Sequence, residues 1–264
     1  MTTYKDIGVT KDSNFVGQIE IQRPPHNFFD MALIQQIASA MEEFDKDDGV
    51  RAVVLCAQGK SFCAGANFND PKQDDSPGSN NVGGQPINHL YQEAVRLLRT
   101  KKPIIAAVHG AAIGGGLGVA CAADFRVTCP EARFAANFTK LGFHPGFGLT
   151  VLLPELVGKN QAELLFYTGR RIGGEEATRI GLANLCVPQD QVRAAATKLA
   201  VEIAESAPLA IAATRKTMRG DLADRVKAAT DHELKEQNWL RATEDFKEGV
   251  RATAERRVAN WKGR

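Results

Sequence analysis

The sequence predicts an α/β fold on three observations. Apolar strand segments alternate with helical stripes in the first half, loops of small residues follow those strands, and beyond about residue 190 the patterning is helical alone. Gln18-Ile19-Glu20-Ile21-Gln22 alternates polar with apolar residues, the period of a half-buried strand, and Arg23-Pro24-Pro25 ends it. Asp30 is placed as the N-cap of a helix that carries Leu33, Ile34, Ile37, Met41 and Phe44 on one face. Ala52-Val53-Val54-Leu55-Cys56 is unbroken and apolar, as in a strand buried on both faces.

A loop of small residues, Ser61-Phe62-Cys63-Ala64-Gly65-Ala66, follows that strand. The unit then recurs: residues 89–101 hold Leu90, Ala94, Leu97 and Leu98 in helical phase, and 103–108 form another apolar strand. Ile113-Gly114-Gly115-Gly116 is a tight turn opening a short helix over 117–123. Between the two units, residues 70–86 are rich in Pro, Gly, Asn, Asp and Ser, which predicts a flexible loop seated to cover a site. The tail predicts helices at 191–206, 209–218 and 225–261, the last broken near Thr243. Their apolar stripes must be buried on the body or on a neighbouring subunit.

Composition narrows the function classes. At 264 residues with 44% hydrophobic and 24% charged, the chain can bury a full core. Its 33 basic and 31 acidic residues leave a formal charge of +2 without like-charge blocks, which argues against a nucleic-acid or membrane surface. The start, Met-Thr-Thr-Tyr-Lys-Asp, lacks the apolar run of a signal peptide. Cys56, Cys63, Cys121, Cys129 and Cys186 form no CxxC pair, so they read as reduced thiols in a cytoplasmic protein without zinc.

The two small-residue loops carry the chemistry. A thioester reaction passing through an enolate builds negative charge on the carbonyl oxygen, and two fixed backbone N–H groups stabilise it, each by roughly 3–4 kcal/mol. Such donors need small residues around them, and both loops supply these. The second stands at a helix N-terminus, where free N–H groups favour an anion. Small residues also simply permit tight turns. The triple glycine lacks the G-x-G-x-x-G spacing of a dinucleotide loop.

Ser61-Phe62-Cys63-Ala64-Gly65-Ala66-Asn67 resembles the FxAGAD segment of the enoyl-CoA hydratase/isomerase (crotonase) family. Residues 102–124 resemble its KPxIAAVxGxAxGGGxxLAxxCD segment, and Glu244-Asp245-Phe246-Lys247-Glu248-Gly249 resembles its terminal helix. The resemblance implies a spiral of ββα units with a C-terminal helical region. It divides the chain into an acyl-CoA-binding core, residues 1–195, and a helical oligomerisation region, 196–264, assembling trimers or dimers of trimers. It places the oxyanion donors on Ala66 and Gly115. Substrate contacts fall on Ala64, Asn67, Phe68, Asn69 and Phe138, with Arg256 reaching the CoA phosphates. Coenzyme A is then part of the substrate and no separate cofactor is implied.

The family's two hydratase glutamates fall on Gly118 and Phe138, and a third acidic position, used by some isomerases and a dehalogenase, falls on Gly146. None can move a proton. His144 in the same loop is a titratable candidate, although a lone loop histidine is usually only polar surface. Cys63 reads as packing, and Asp124 as a partner for a helix end or backbone N–H. The expected function is acyl-CoA binding with enolate stabilisation in an enoyl-CoA hydratase/isomerase-like enzyme, a lyase or isomerase whose classical hydration is in doubt. The alternatives are an inactive acyl-CoA-binding paralogue, a decarboxylase or a thioester hydrolase.

Overall fold

The structure, a computed structural model, describes residues 2–67, 81–82, 85–86 and 89–264. The chain begins with β1 (Ile7–Lys11), β2 (Val16–Ile21), α1 (Met31–Asp45), β3 (Ala52–Ala57) and β4 (Ser61–Cys63). Short β5 (Asn81–Val82) and β6 (Gln85–Pro86) pair antiparallel and precede α2 (His89–Arg99). Next come β7 (Ile104–Val108), β8 (Ala111–Ile113), α3 (Gly115–Ala122), β9 (Phe125–Thr128) and β10 (Arg133–Ala135). A 3₁₀ turn, Asn137–Leu141, leads to α4 (Leu149–Val157), α5 (Lys159–Thr168), β11 (Arg171–Ile172), α6 (Gly174–Arg179) and β12 (Leu185–Cys186). The tail is α7 (Val192–Ala204), α8 (Pro208–Arg219), α9 (Leu222–Arg241) and α10 (Glu244–Glu255).

Two sheets organise the body. The larger runs β1-β2-β3-β7-β9-β12, parallel from β2 onward, and the smaller runs β11-β10-β8-β4. Strands β3 and β7 are buried along their whole length, which is why their sequences are continuous apolar runs rather than alternating ones. Helix α7 lies across β3, β7 and β9, and its Ala196, Ala200 and Ala204 are buried, small enough for a close approach to the sheet.

Several expected features are present. Asp30 caps α1, its Oδ1 accepting the Leu33 N–H at 2.8 Å, and the predicted stripe of α1 is buried. Asp124 is a structural anchor: its carboxylate accepts the Ile104 N–H at 2.8 Å and pairs with Arg215 and Arg219 at 3.0 and 2.9 Å. The tail breaks where expected, with Thr243 capping α10 through the Phe246 N–H at 3.1 Å. Its last helix is shorter than the apolar pattern predicts and ends at Glu255, not at 261. Arg256 turns left-handed at φ 56°, and the chain then folds back onto α10. Carboxylates hold it there: Glu248 accepts the Asn260 N–H at 2.9 Å, and Asp245 accepts those of Lys262 and Gly263 at 2.7 and 2.8 Å. Among the described residues, no helix is long and apolar enough to cross a membrane.

Candidate active site

The smaller sheet assembles the site. β4, β8 and β10 are neighbouring parallel strands, with Cys63 opposite Ala112 and Ile113 opposite Ala135. Their C-terminal ends therefore deliver three segments side by side: Ala64-Gly65-Ala66, Gly114-Gly115-Gly116, and Ala136-Asn137-Phe138. The first two meet closely. A side chain on Gly65 would stand 2.7 Å from the Ile113 carbonyl oxygen and 3.7 Å from the Gly115 nitrogen, and one on Gly116 would stand 2.0 Å from the Cys63 carbonyl oxygen. Gly65 also holds φ +83°, a left-handed conformation that glycine adopts at little cost. Glycine is thus a steric condition for the loops touching. Gly115 is the first residue of α3, whose leading N–H groups have no partner within the helix.

These segments line a cavity of about 730 Å³ with Phe29, Tyr91, Phe147, Gln237 and Arg241. Of the predicted residues, Ala64, Ala66, Asn67, Gly115 and Phe138 are all in its wall. Phe68 and Asn69 lie outside the described residues, as does most of the expected covering loop with Asp70, Asp74 and Asp75. His144 is not in the wall shared by Ala66 and Gly115. It lines a second cavity of about 860 Å³ beside Thr150, Trp239 and Trp261. There its Nδ1 lies 2.7 Å from the Pro145 carbonyl oxygen, and its ring meets His232 edge-on at 6.0 Å. That larger cavity holds neither Ala66 nor Gly115. Arg256 is exposed at the left-handed end of α10, and the cations in the wall of the cavity that Ala66 and Gly115 line are instead Arg171, Arg241 and Lys247.

Of the three positions without acids, the two glycines are also closed to them. A Cβ on Gly118 would stand 2.6 Å from the Phe147 ring, and one on Gly146 would stand 2.0 Å from the Tyr91 hydroxyl and 2.4 Å from the Gln237 amide nitrogen. Phe138 presents a ring that is 7% exposed. Tyr91 donates its hydroxyl hydrogen to Gln237 Oε1 at 2.7 Å, and the Gln237 amide donates to the carbonyls of His144 and Pro145 at 3.0 and 3.3 Å. Burial pushes the phenol pKa of Tyr91 well above its ordinary value, so it remains neutral. One turn earlier on α9, buried Glu233 accepts the N–H groups of Gly148 and Thr150 at 2.9 and 3.1 Å and the Thr150 hydroxyl at 2.6 Å. Burial raises its carboxyl pKa. Gln237 and Glu233 together tie the 144–150 loop to α9. Cys63 is fully buried and its thiol is pushed up to about 12, which keeps it protonated and unreactive.

Sequence reasoning missed Tyr91, Phe147, Gln237 and Arg241. The signal lay in α9, whose buried stripe Val226, Thr230, Glu233, Leu234 and Gln237 has polar residues where a core helix carries apolar ones.

The enoyl-CoA hydratase/isomerase family model matches residues 11–264. The short-chain-enoyl-CoA hydratase of Clostridium acetobutylicum is 32% identical over 92% of this chain and 92% of its own. The carnitinyl-CoA dehydratase of Salmonella typhi is 33% identical over 94% of this chain and 95% of its own. Among solved structures, an enoyl-CoA hydratase/isomerase from Pseudoalteromonas atlantica superposes with a TM-score of 0.84 at 30% identity, covering 98% of this chain and 100% of that one. With the family model spanning nearly the whole sequence and the fold shared, the chain belongs to the enoyl-CoA hydratase/isomerase family, of the crotonase fold.

Proposed function

We propose that this protein binds acyl-CoA thioesters and stabilises a thioester enolate, with the backbone N–H groups of Ala66 and Gly115 as the oxyanion donors. The observation that carries this reading is the meeting of the β4 and β8 loops at one cavity, with Gly115 opening α3. Bound there, the carbonyl oxygen faces two preorganised donors in a largely apolar enclosure, where their effect on developing charge exceeds that in water. The CoA nucleotide, too large for the cavity, rests at its mouth near exposed Arg171 and Lys247. Coenzyme A belongs to the substrate in this reading. The helical tail would pack between copies in a trimer or a dimer of trimers, in keeping with the exposed Trp239 and Trp261 beside the second cavity.

Hydration at ordinary rates is not part of the proposal. It requires a base to activate water and an acid to protonate the α-carbon, and Gly118, Phe138 and Gly146 supply neither. The closure of the two glycine positions favours a second reading, chemistry that needs no base. In decarboxylation the bond from the α-carbon to a carboxylate breaks, carbon dioxide leaves, and the electron pair enters the enolate held by Ala66 and Gly115 before water returns a proton. An acyl-CoA-binding protein without turnover, or a thioester hydrolase, is consistent with the same geometry.

The test is a paired measurement on the purified protein: crotonyl-CoA hydration, followed by loss of conjugated-thioester absorbance, and butyryl-CoA binding by calorimetry. Binding without hydration is the expected result. Hydration at about 1–10³ per second, the usual enzyme range, would show that another acid–base pair exists. Failure to bind butyryl-CoA would overturn the reading.

A further inference from the structure

The described wall of the cavity that Ala66 and Gly115 line holds one side-chain amide without a protein partner. Asn67, Asn137 and Gln237 are the amides of that wall. Gln237 is spent on the Tyr91 hydroxyl and on the carbonyls of His144 and Pro145. Asn67 is engaged as well. Among the described residues the Asn137 amide has no hydrogen-bond partner, and the residue is half-buried, facing the cavity.

The backbone of Asn137 is held on several sides. It follows β10, whose Ala135 carbonyl accepts the Gly114 N–H at 2.8 Å. It opens the 3₁₀ turn, which the Thr139 hydroxyl ties to the Phe166 carbonyl at 2.7 Å. On its far side Gly169 packs so closely that a Cβ there would stand 3.4 Å from the Asn137 Cα. The amide itself adjoins the Gly114-Gly115-Gly116 turn. A Cβ on Gly114 would stand 3.7 Å from Asn137 Oδ1 and 3.8 Å from the edge of the Phe138 ring. One edge of that turn is therefore flanked by an aromatic ring and a neutral polar group.

We propose that Asn137 is a specificity-determining residue that holds a carboxylate on the α-carbon of the acyl group, so that malonyl-type thioesters are the preferred ligands. This deepens the acyl-CoA reading and rests on it. With the thioester oxygen at Ala66 and Gly115, a substituent of the α-carbon reaches the edge of the turn where Asn137 and Phe138 stand. The amide nitrogen offers two N–H donors, and an ionised carboxylate only accepts. An alkyl substituent there leaves the amide facing hydrocarbon, without a partner. The amide does not titrate, so its part is to orient rather than to move a proton. Decarboxylation also favours a neutral holder. A cation on the carboxylate would stabilise the charge that has to leave it and so deepen the ground state. An amide fixes the breaking carbon–carbon bond perpendicular to the thioester plane, aligned for its electron pair to enter the enolate as carbon dioxide departs and water supplies the proton.

The experiment compares malonyl-CoA with isovaleryl-CoA by calorimetry at one ionic strength. The two acyl groups have nearly the same shape, with two methyls in place of the carboxylate oxygens. The expected result is that malonyl-CoA binds about tenfold more tightly. Asn137→Leu, which keeps the volume and removes the amide, weakens malonyl-CoA by about that factor and leaves isovaleryl-CoA within about threefold. Where malonyl-CoA is converted to acetyl-CoA, chromatography gives kcat/KM in place of an affinity, and Asn137→Leu lowers it about tenfold. Equal or weaker binding of malonyl-CoA by the unmodified protein, with no acetyl-CoA formed, overturns the proposal and leaves the acyl-CoA reading intact. That comparison does not depend on any variant folding. An Asn137→Leu variant that loses affinity equally for both thioesters, or turns malonyl-CoA over undiminished, also overturns it. Binding of neither thioester defeats the underlying reading, a different and recognisable failure.

Discussion

Replacing Gly118 by glutamate puts the family's first acid where it is missing, and the structure predicts that this fails. Every residue of α3 is buried, and a Cβ at position 118 meets Phe147 at 2.6, 2.8 and 2.9 Å. Phe147 has little room to withdraw, being 2% exposed and packed on Phe29 at a ring separation of 5.6 Å. Overpacking a core by a methylene or more costs about 1–3 kcal/mol, and a carboxyl group without a fixed partner adds about another 1–3 kcal/mol. Taking about 4 kcal/mol for Gly118→Glu and roughly 2–4 °C per kcal/mol for a chain of this size, the melting temperature falls by about 8–16 °C. Thermal denaturation followed by circular dichroism measures the shift, and crotonyl-CoA hydration measures any gained activity. Gly118→Ala should lose part of the same stability, because the Cβ alone makes the clash, and Gly118→Glu combined with Phe147→Ala should cost less than the two single changes added together, because the clash is then gone. A Gly118→Glu protein that melts with the parent and hydrates crotonyl-CoA would refute the reasoning, since the space would then be open.

Gly65→Ala is expected to cost about 1–2 kcal/mol for a left-handed alanine. It also presses the two loops apart through the 2.7 Å approach to the Ile113 carbonyl, so butyryl-CoA affinity should fall about tenfold, read by calorimetry. Asp124→Asn leaves the buried Arg215 without its anion, a loss of about 3–5 kcal/mol that urea denaturation should show. Glu233 makes stability depend on pH. Its folded pKa lies above the unfolded value of about 4.3, so the folded state binds the extra proton between the two. The contribution of Glu233 to stability is therefore greatest below the unfolded value and falls as pH rises through the raised folded one. Carboxylates held low by their partners, such as Asp6 and Glu248, act in the opposite sense, so the decline should be read from the difference in urea midpoint between the parent and Glu233→Gln across that window.

The fold was legible wherever burial imposes a simple pattern. β3 and β7 lie between layers, so their runs are apolar without alternation, and Asp30 stands where a cap is needed. The meeting of the loops after β4 and β8 was legible because close approach demands small residues, and Gly65 and Gly116 answer that demand. What fills the space around those loops was not. Phe147 occupies the room beside Gly118, and Tyr91 with Gln237 occupies the room beside Gly146. Those partners come from α2, α9 and the loop before α4, and only tertiary packing brings them together. The end of α10 escaped for a similar reason. Val258 and Trp261 continue the apolar spacing, but the carboxylates of Asp245 and Glu248 draw the chain back after Arg256. The place of His144 was not legible either: its side chain lines the second cavity, and Ala66 and Gly115 line the first.

The central claim is that Ala66 and Gly115 polarise a thioester carbonyl, and isotope-edited difference infrared spectroscopy of butyryl-CoA labelled with carbon-13 at the carbonyl tests it without requiring turnover. The account predicts that the labelled band moves to lower frequency on binding, and that Ala66→Pro, which removes one N–H, gives back part of the shift in the bound complex. A bound carbonyl at the frequency of the free thioester, or a shift unchanged by Ala66→Pro, would contradict it.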